Sequence, residues 1–230
     1  MAAASKLQPP KRKGVFYKST FENISEERRQ RIFSVAVSEF AASGYSAANI
    51  NVIAKKAGIS IGSMYSYFES KETLFLAIVD NGFHILEKLI NDIANEVTSA
   101  EEAFRQMLVA ARDYAISYPE YNQIYLDFTS QGLSHISSKL SHTIETITAQ
   151  FYQDVIRRDK EKGLLPQEID EHMLSFLMDN LIITFQFSFT SDYYRERMRI
   201  FLGEDLSGKD EDIINGIVEL IKPMLFPIRE

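Results

Sequence analysis

Residues 49–71 (Asn-Ile-Asn-Val-Ile-Ala-Lys-Lys-Ala-Gly-Ile-Ser-Ile-Gly-Ser-Met-Tyr-Ser-Tyr-Phe-Glu-Ser-Lys) constrain this chain more than any other stretch. They predict two short helices around a tight turn, with a third starting at once. Asn49 is a helix cap, its side-chain oxygen accepting an N–H left free in the opening turn. Ile50, Ile53, Ala54 and Ala57 then recur at i, i+3, i+4 and i+7, one apolar face of a helix. Gly58 ends that helix where the backbone must swing to positive φ, which only glycine does cheaply. Ser60 caps the next helix, in which Met64 and Phe68 lie four apart with Ile61 and Tyr65 on a neighbouring row. Ser70 caps the third. Alanines at a close helix crossing, a glycine in the turn and a short second helix describe a helix-turn-helix, whose second helix enters the DNA major groove.

At Ile53-Ala54, Ala57-Gly58-Ile59-Ser60, Gly62, Met64-Tyr65, Tyr67-Phe68 and Ser70-Lys71 the chain resembles the tetracycline-repressor (TetR) family of transcriptional regulators. The match ends in that family's tyrosine–aromatic–phenylalanine–lysine run, and Asn49 stands where many members carry threonine. The resemblance is strong over about residues 25–80; beyond them it rests on helix count and length. It implies an all-α protein with an N-terminal three-helix head and a larger helical domain for ligand binding and dimerisation. It further implies a homodimer on a palindromic operator, acting as a repressor released by a small molecule, or alternatively as an activator. By the same resemblance the recognition helix is Ser60–Phe68. Ile61 would meet a thymine methyl and Ser63 a base edge, while Tyr65, Tyr67 and Lys71 would hold the DNA backbone. Asn49 would touch phosphate as well as cap.

A rival motif overlaps the stretch. Gly58-Ile59-Ser60-Ile61-Gly62 fits G-x-S-x-G, the nucleophile elbow of α/β-hydrolases, which needs a buried strand before its serine. Ala54-Lys55-Lys56-Ala57 precedes it here, a helical run with two lysines, so Ser60 reads as a cap. A helical binding protein whose basic head meets something other than DNA is the remaining alternative.

Charge is distributed unevenly. The chain carries −7 overall. Residues 1–71 hold 11 Lys+Arg against 5 Asp+Glu, or +6, leaving 14 against 27, or −13, in residues 72–230. A basic first third on an acidic remainder is expected if one end alone meets phosphate. Residues 1–24, with Lys11-Arg12-Lys13, Lys18 and interleaved Phe16, Tyr17 and Phe21, read as a partly disordered basic arm able to follow the DNA backbone. The head is then 25–71 and the second domain 72–230. The absence of cysteine and of an apolar run behind Met1 leads us to expect a cytoplasmic protein.

The rest reads as helices throughout. One starts at Ser25 and stops at Ser43-Gly44-Tyr45; a long one runs from Lys71 to about Val97. Others are expected over 100–118, 120–131, 133–162, 167–190, 191–202 and 210–225. The helices after 167 and 210 are apolar over much of their circumference, which predicts burial on every side. For the last of them the expected dimer face is Ile214, Ile217, Val218, Ile221 and Leu225. Ligand-pocket candidates are Phe104, Leu108, Tyr125, Phe128, Phe151, Phe176 and Phe185, named because the resemblance implies that their helices enclose a pocket. Asp179 joins them from a polar thread, His172, Ser175, Asp179, Gln186 and Thr190; burying a lone carboxylate there is costly, so a cationic or donor-rich ligand would suit it. The four histidines lack metal-ligand spacing, and no cofactor is expected.

Overall fold

A computed structural model describes residues 16–129, 133–138, 141–203 and 209–225, apart from the side chains at 143, 144, 224 and 225. Among the described residues there are helices and no strands. The chain divides into two compact units. One comprises the described residues up to Leu86 with Gln123–Ser141, the other Glu87–Asn122 with the described residues from His142 onward.

The first unit opens with a short helix α1 (Ser19–Glu22), followed by α2 (Glu26–Ala47), α3 (Ile50–Ala57), α4 (Ile61–Tyr67) and the start of α5 (Lys71–Glu96). Sequence groups residues 16–24 with a solvated arm, yet Phe21 is 1% exposed and packs on the rings of Tyr17, Phe33, Tyr67 and Phe68 at 4.8–5.6 Å. Burying such a ring stabilises by about 2–3 kcal/mol, enough to fix a four-residue helix that has little stability alone. In α2 the backbone turns at Gly44, with φ of 69°, where the sequence stop was expected. Ile32, Ala36, Phe40, Ile53, Ala57, Met64 and Phe68 are all buried. Six consecutive residues of α5, Leu74–Val79, are buried too, so this part of the helix is enclosed on every side. The unit also takes most of α7 (Pro119–Phe128) and the single turn α8 (Ser134–Ser137).

The expected helix over 133–162 is two, α8 and α9 (Ser141–Glu161). Ser137 and Ser138 turn their hydroxyls onto the carbonyls of Ser134 and His135, the local bonding by which serines compete with helix.

The second unit packs α10 (Glu171–Phe187) and α12 (Asp210–Leu225) on α6 (Ala100–Ser117), with α9 and α11 (Asp192–Leu202) completing it. α10 starts four residues later than sequence suggests because Asp170 caps it, accepting from the Met173 amide at 2.8 Å. α9 is tied to α6 by buried Asp159, which accepts from the Ala100 amide at 2.7 Å. Ion pairs hold α12 on α6: Glu211 with Arg105 and Arg112, and Lys222 with Glu101 at 2.9 Å. Among the described residues no single helix is long and apolar enough to cross a membrane.

Candidate functional site

The head is built from short-range caps. Asn49 accepts from the Asn51 amide at 2.9 Å and opens α3, which closes at Gly58 in the left-handed region (φ 71°, ψ 34°). A Cβ there would also stand 3.2 Å from the Arg31 guanidinium. Ser60 accepts from the Ser63 amide at 3.0 Å and opens α4. This is a helix–turn–helix with no strand before Ser60, so the strained elbow that a hydrolase serine requires is missing from this position. Ser70 and Thr73 cap α5 reciprocally, each side chain accepting the other's amide at 3.0–3.1 Å.

The residues singled out in sequence fall into three groups here. Ile61 and Tyr65 are exposed on α4, the tyrosine by 46%, beside exposed Gly62 and Ser66. Asn49, Ser60 and Ser63 are accessible, but their polar atoms have protein partners: the Ser60 and Ser63 hydroxyls lie 2.9 Å apart. Lys71 donates from Nζ to the carbonyls of Ser46 (2.9 Å) and Ala48 (3.2 Å) and lies over the Tyr45 ring, closing the end of α2. Tyr67 differs from expectation. It is 7% exposed, its ring against Phe21, because position 67 falls on the same side of α4 as Met64.

Lys18 is the residue that sequence underrated. It reads there as one more charge in a solvated arm, whereas its Nζ donates to the Tyr65 carbonyl at 3.0 Å and its amide to the Tyr67 carbonyl at 2.8 Å. No local pattern carries that pairing; only the buried Phe21 three residues on gives a hint.

In the second unit, Phe104, Leu108, Phe151 and Phe185 are buried. Tyr125 and Phe128 belong to the first unit, where Tyr125 lies edge-on to Phe83 at 6.4 Å. Phe176, a pocket candidate by sequence, is instead 62% exposed. The residues expected at the dimer face are mostly covered within the protomer. Ile214 and Val218 are buried on the side of α12 that meets α6, Ile217 and Ile221 are half-buried, and the Leu225 side chain lies outside the described residues. Apolar surface is left open at Met173, Phe176, Leu177 and Leu181 on α10, at Leu220 of α12, exposed by 77%, and also at Ile116, Leu164 and, on α11, Tyr193, Ile200, Phe201 and Leu202. These α10 positions repeat at i, i+3, i+4 and i+8, so that helix is apolar on both faces and buried on one.

The polar thread of α10 divides. Gln186 donates to Asn122 Oδ1 at 2.6 Å, and the Asn122 amide donates to Thr190, so fully buried Asn122 is satisfied by two half-buried partners. Asp179 has no such donor. Burial, and then the nearby Glu145 charge, push its carboxyl up to about 7. Glu145 is exposed on one side and only partly desolvated, which raises its carboxyl as well. Tyr152, fully buried on α9, has a hydroxyl without a hydrogen-bond partner, and burial and then Asp179 raise its pKa. Among the described residues no group of three or more acids and histidines is placed to hold a metal.

A capped recognition helix on a three-helix head, followed by an all-helical second unit, defines a helix-turn-helix DNA-binding transcriptional regulator. The sequence profile of the bacterial regulatory proteins, tetR family, matches residues 32–78. The transcriptional regulator SrpR of Pseudomonas putida is 30% identical over 151 residues, 64% of this chain and 67% of that protein. The transcriptional repressor SCO4008 of Streptomyces coelicolor is 26% identical over 157 residues, 66% of this chain and 75% of that protein. Among solved structures, the regulator FadR of Bacillus subtilis, crystallised with stearoyl-CoA, superposes with a TM-score of 0.66 at 16% identity. That superposition covers 87% of this chain and 99% of FadR. The chain belongs to the TetR family of transcriptional regulators.

Proposed function

We propose that this regulator is a homodimeric repressor that reads a palindromic operator through α4 and is released by a small molecule bound in its second unit. The observation that carries the reading is the exposure of Ile61 and Tyr65 on a helix whose two ends are fixed, with Met64 and Phe68 buried behind them. Ile61 meets thymine methyls and Tyr65 the backbone; Asn49, Ser60 and Ser63 line the approach, and Lys71 adds positive charge beside phosphate. Few of these side chains form bidentate base contacts, so part of the selectivity comes from DNA shape. The repressor SCO4008 supports the sign of regulation.

Dimerisation uses the open face of α10, together with exposed Leu220 and the half-buried Ile217 and Ile221 of α12. A stripe of four large apolar residues on one helix is more than a free protomer leaves in water without use. The effector lies among the buried aromatics of the second unit, with Asp179, Glu145 and Tyr152 as its polar end. FadR, crystallised in complex with stearoyl-CoA, supports a small-molecule ligand for a protein of this fold. The helix α5 contributes residues to both units, which gives an effector a route to the head; typical coupling is about 1–3 kcal/mol.

Selection of bound sequences from random duplex DNA tests this. Enrichment of a palindrome with half-sites about one helical turn apart is expected. Salt-insensitive binding, or none by effector-free protein, overturns the reading.

A further inference from the structure

The recognition helix has seven residues, Ile61–Tyr67, too few for stability of its own. Its last carbonyls lack intrahelical partners, as at every helix end. Three in a row, those of Tyr65, Ser66 and Tyr67, are taken by one segment from the other side of the head: Lys18 Nζ donates to Tyr65, the Thr20 hydroxyl to Ser66 and the Lys18 amide to Tyr67. Phe21 anchors that segment among Phe33, Tyr67 and Phe68. The Lys18 charge also sits at the negative end of the α4 dipole, where a cation is favoured.

We propose that residues 18–21 are a clamp on the recognition helix, and that Lys18, Thr20 and Phe21 are positioning residues for DNA binding that act through α4. The inference rests on the DNA-reading role proposed for that helix. It assigns the Lys18 ammonium to protein carbonyls and not to DNA phosphate, and it places the start of the DNA-reading head before Ser25. Without the clamp the end of α4 frays, and Tyr65, in its last turn, no longer holds one orientation for the groove.

The test uses the full-length protein, with Lys18→Met, Thr20→Val and Thr20→Ser variants. Affinity for the operator recovered by selection is measured over a range of salt, and amide hydrogen exchange is measured on the free protein. Lys18→Met and Thr20→Val should each weaken binding by about 3–10-fold, the equivalent of one or two net hydrogen bonds. The slope of log affinity against log salt should not change, because no phosphate contact is lost. Thr20→Ser, which keeps the hydroxyl, should bind like the wild type. In the free protein the amides of residues 64–68 should exchange faster in the first two variants. A slope reduced by about one in Lys18→Met would overturn the clamp, since that ammonium would then neutralise a phosphate. Wild-type affinity and exchange in Thr20→Val would overturn it as well. Wild-type protein that ignores DNA would instead remove the DNA-reading role, while the exchange of α4 still decides whether the clamp exists.

Discussion

The head and the second unit differ in how completely they settle their polar groups. In the head most helix ends are closed by groups a few residues away, Ser25, Asn49, Ser60 and Ser70 with Thr73, while Lys71 closes the end of α2 and the clamp at Lys18 the end of α4 from further along the chain. The second unit caps helices in the same local way at Ser99, Asp170 and Ser191, but adds buried ties between residues far apart in the chain, such as Asn122 to Gln186 and Ala100 to Asp159. That unit leaves a fully buried tyrosine hydroxyl unpartnered, a carboxyl raised to about 7 and an apolar helix face in water. A head complete in itself suits a part that must present one rigid surface. A unit with unsatisfied groups suits a part shaped for something else, a second copy outside and an effector within.

The largest effect expected from breaking this contrast is at α10. Phe176→Glu puts a charge in the open face without touching the core beneath it. Light scattering should show a monomer, and operator affinity should drop more than about 100-fold because one head holds half a site. Thermal stability of the protomer should change by about 0.5 kcal/mol or less. A dimer of unchanged affinity would move the interface elsewhere.

Asn122 comes next. It is fully buried and serves Gln186 and Thr190 together. Asn122→Leu leaves the half-buried Gln186 and Thr190 without their shared partner and should cost about 1–2 kcal/mol in chemical denaturation. Operator binding at temperatures where the protein stays folded should be preserved, which separates the stability of the second unit from the reading of DNA.

These two sites also mark how far the sequence is legible. The caps at Asn49, Ser60 and Ser70, the Gly58 turn and the buried row through Phe68 follow from residues within a few positions of one another, and the pattern of short-range chemistry is sufficient to see them. The exposure of Phe176 and the burial of Ile214 are not legible in the same way, because each lies on a helix apolar over most of its surface. Periodicity then gives the existence of two faces but not which one meets α6. For α12 the ion pairs of Glu211 with Arg105 and Arg112 accompany the packed face, and they join residues about a hundred apart in the chain. Lys18 was hidden for the same reason: its acceptors are backbone carbonyls, which have no sequence signature.

Asp179 offers an effect of similar size, read through pH. Its folded carboxyl titrates at about 7 and its unfolded one near the ordinary 3.8, so the folded state holds the extra proton between those values. Stability from this group is therefore full below about pH 4, is lost as pH rises towards 7, and stays lost above it. Asp179→Asn removes the loss. With partial solvent access discounted, the variant should exceed the wild type by about 1–2 kcal/mol at pH 8 and match it at pH 4. An unchanged difference across that range would mean that Asp179 is ionised in the folded protein and has a donor after all.

Lys71 gives the finest test, since it can serve the head in two ways. Its ammonium closes the end of α2 through the Ser46 and Ala48 carbonyls, and it is also a positive charge beside the recognition helix. Lys71→Met keeps the stem over Tyr45 but loses both hydrogen bonds. Net loss should be about 1 kcal/mol of head stability, seen as faster exchange near residues 45–50, with exchange in α10 and α12 unchanged. Affinity for the operator should fall about 3–10-fold. A salt slope reduced by about one together with faster exchange would show both roles at once. Faster exchange with the slope intact would make Lys71, like Lys18, a residue whose charge is held by the protein, and the head would then meet DNA mainly through α4 itself.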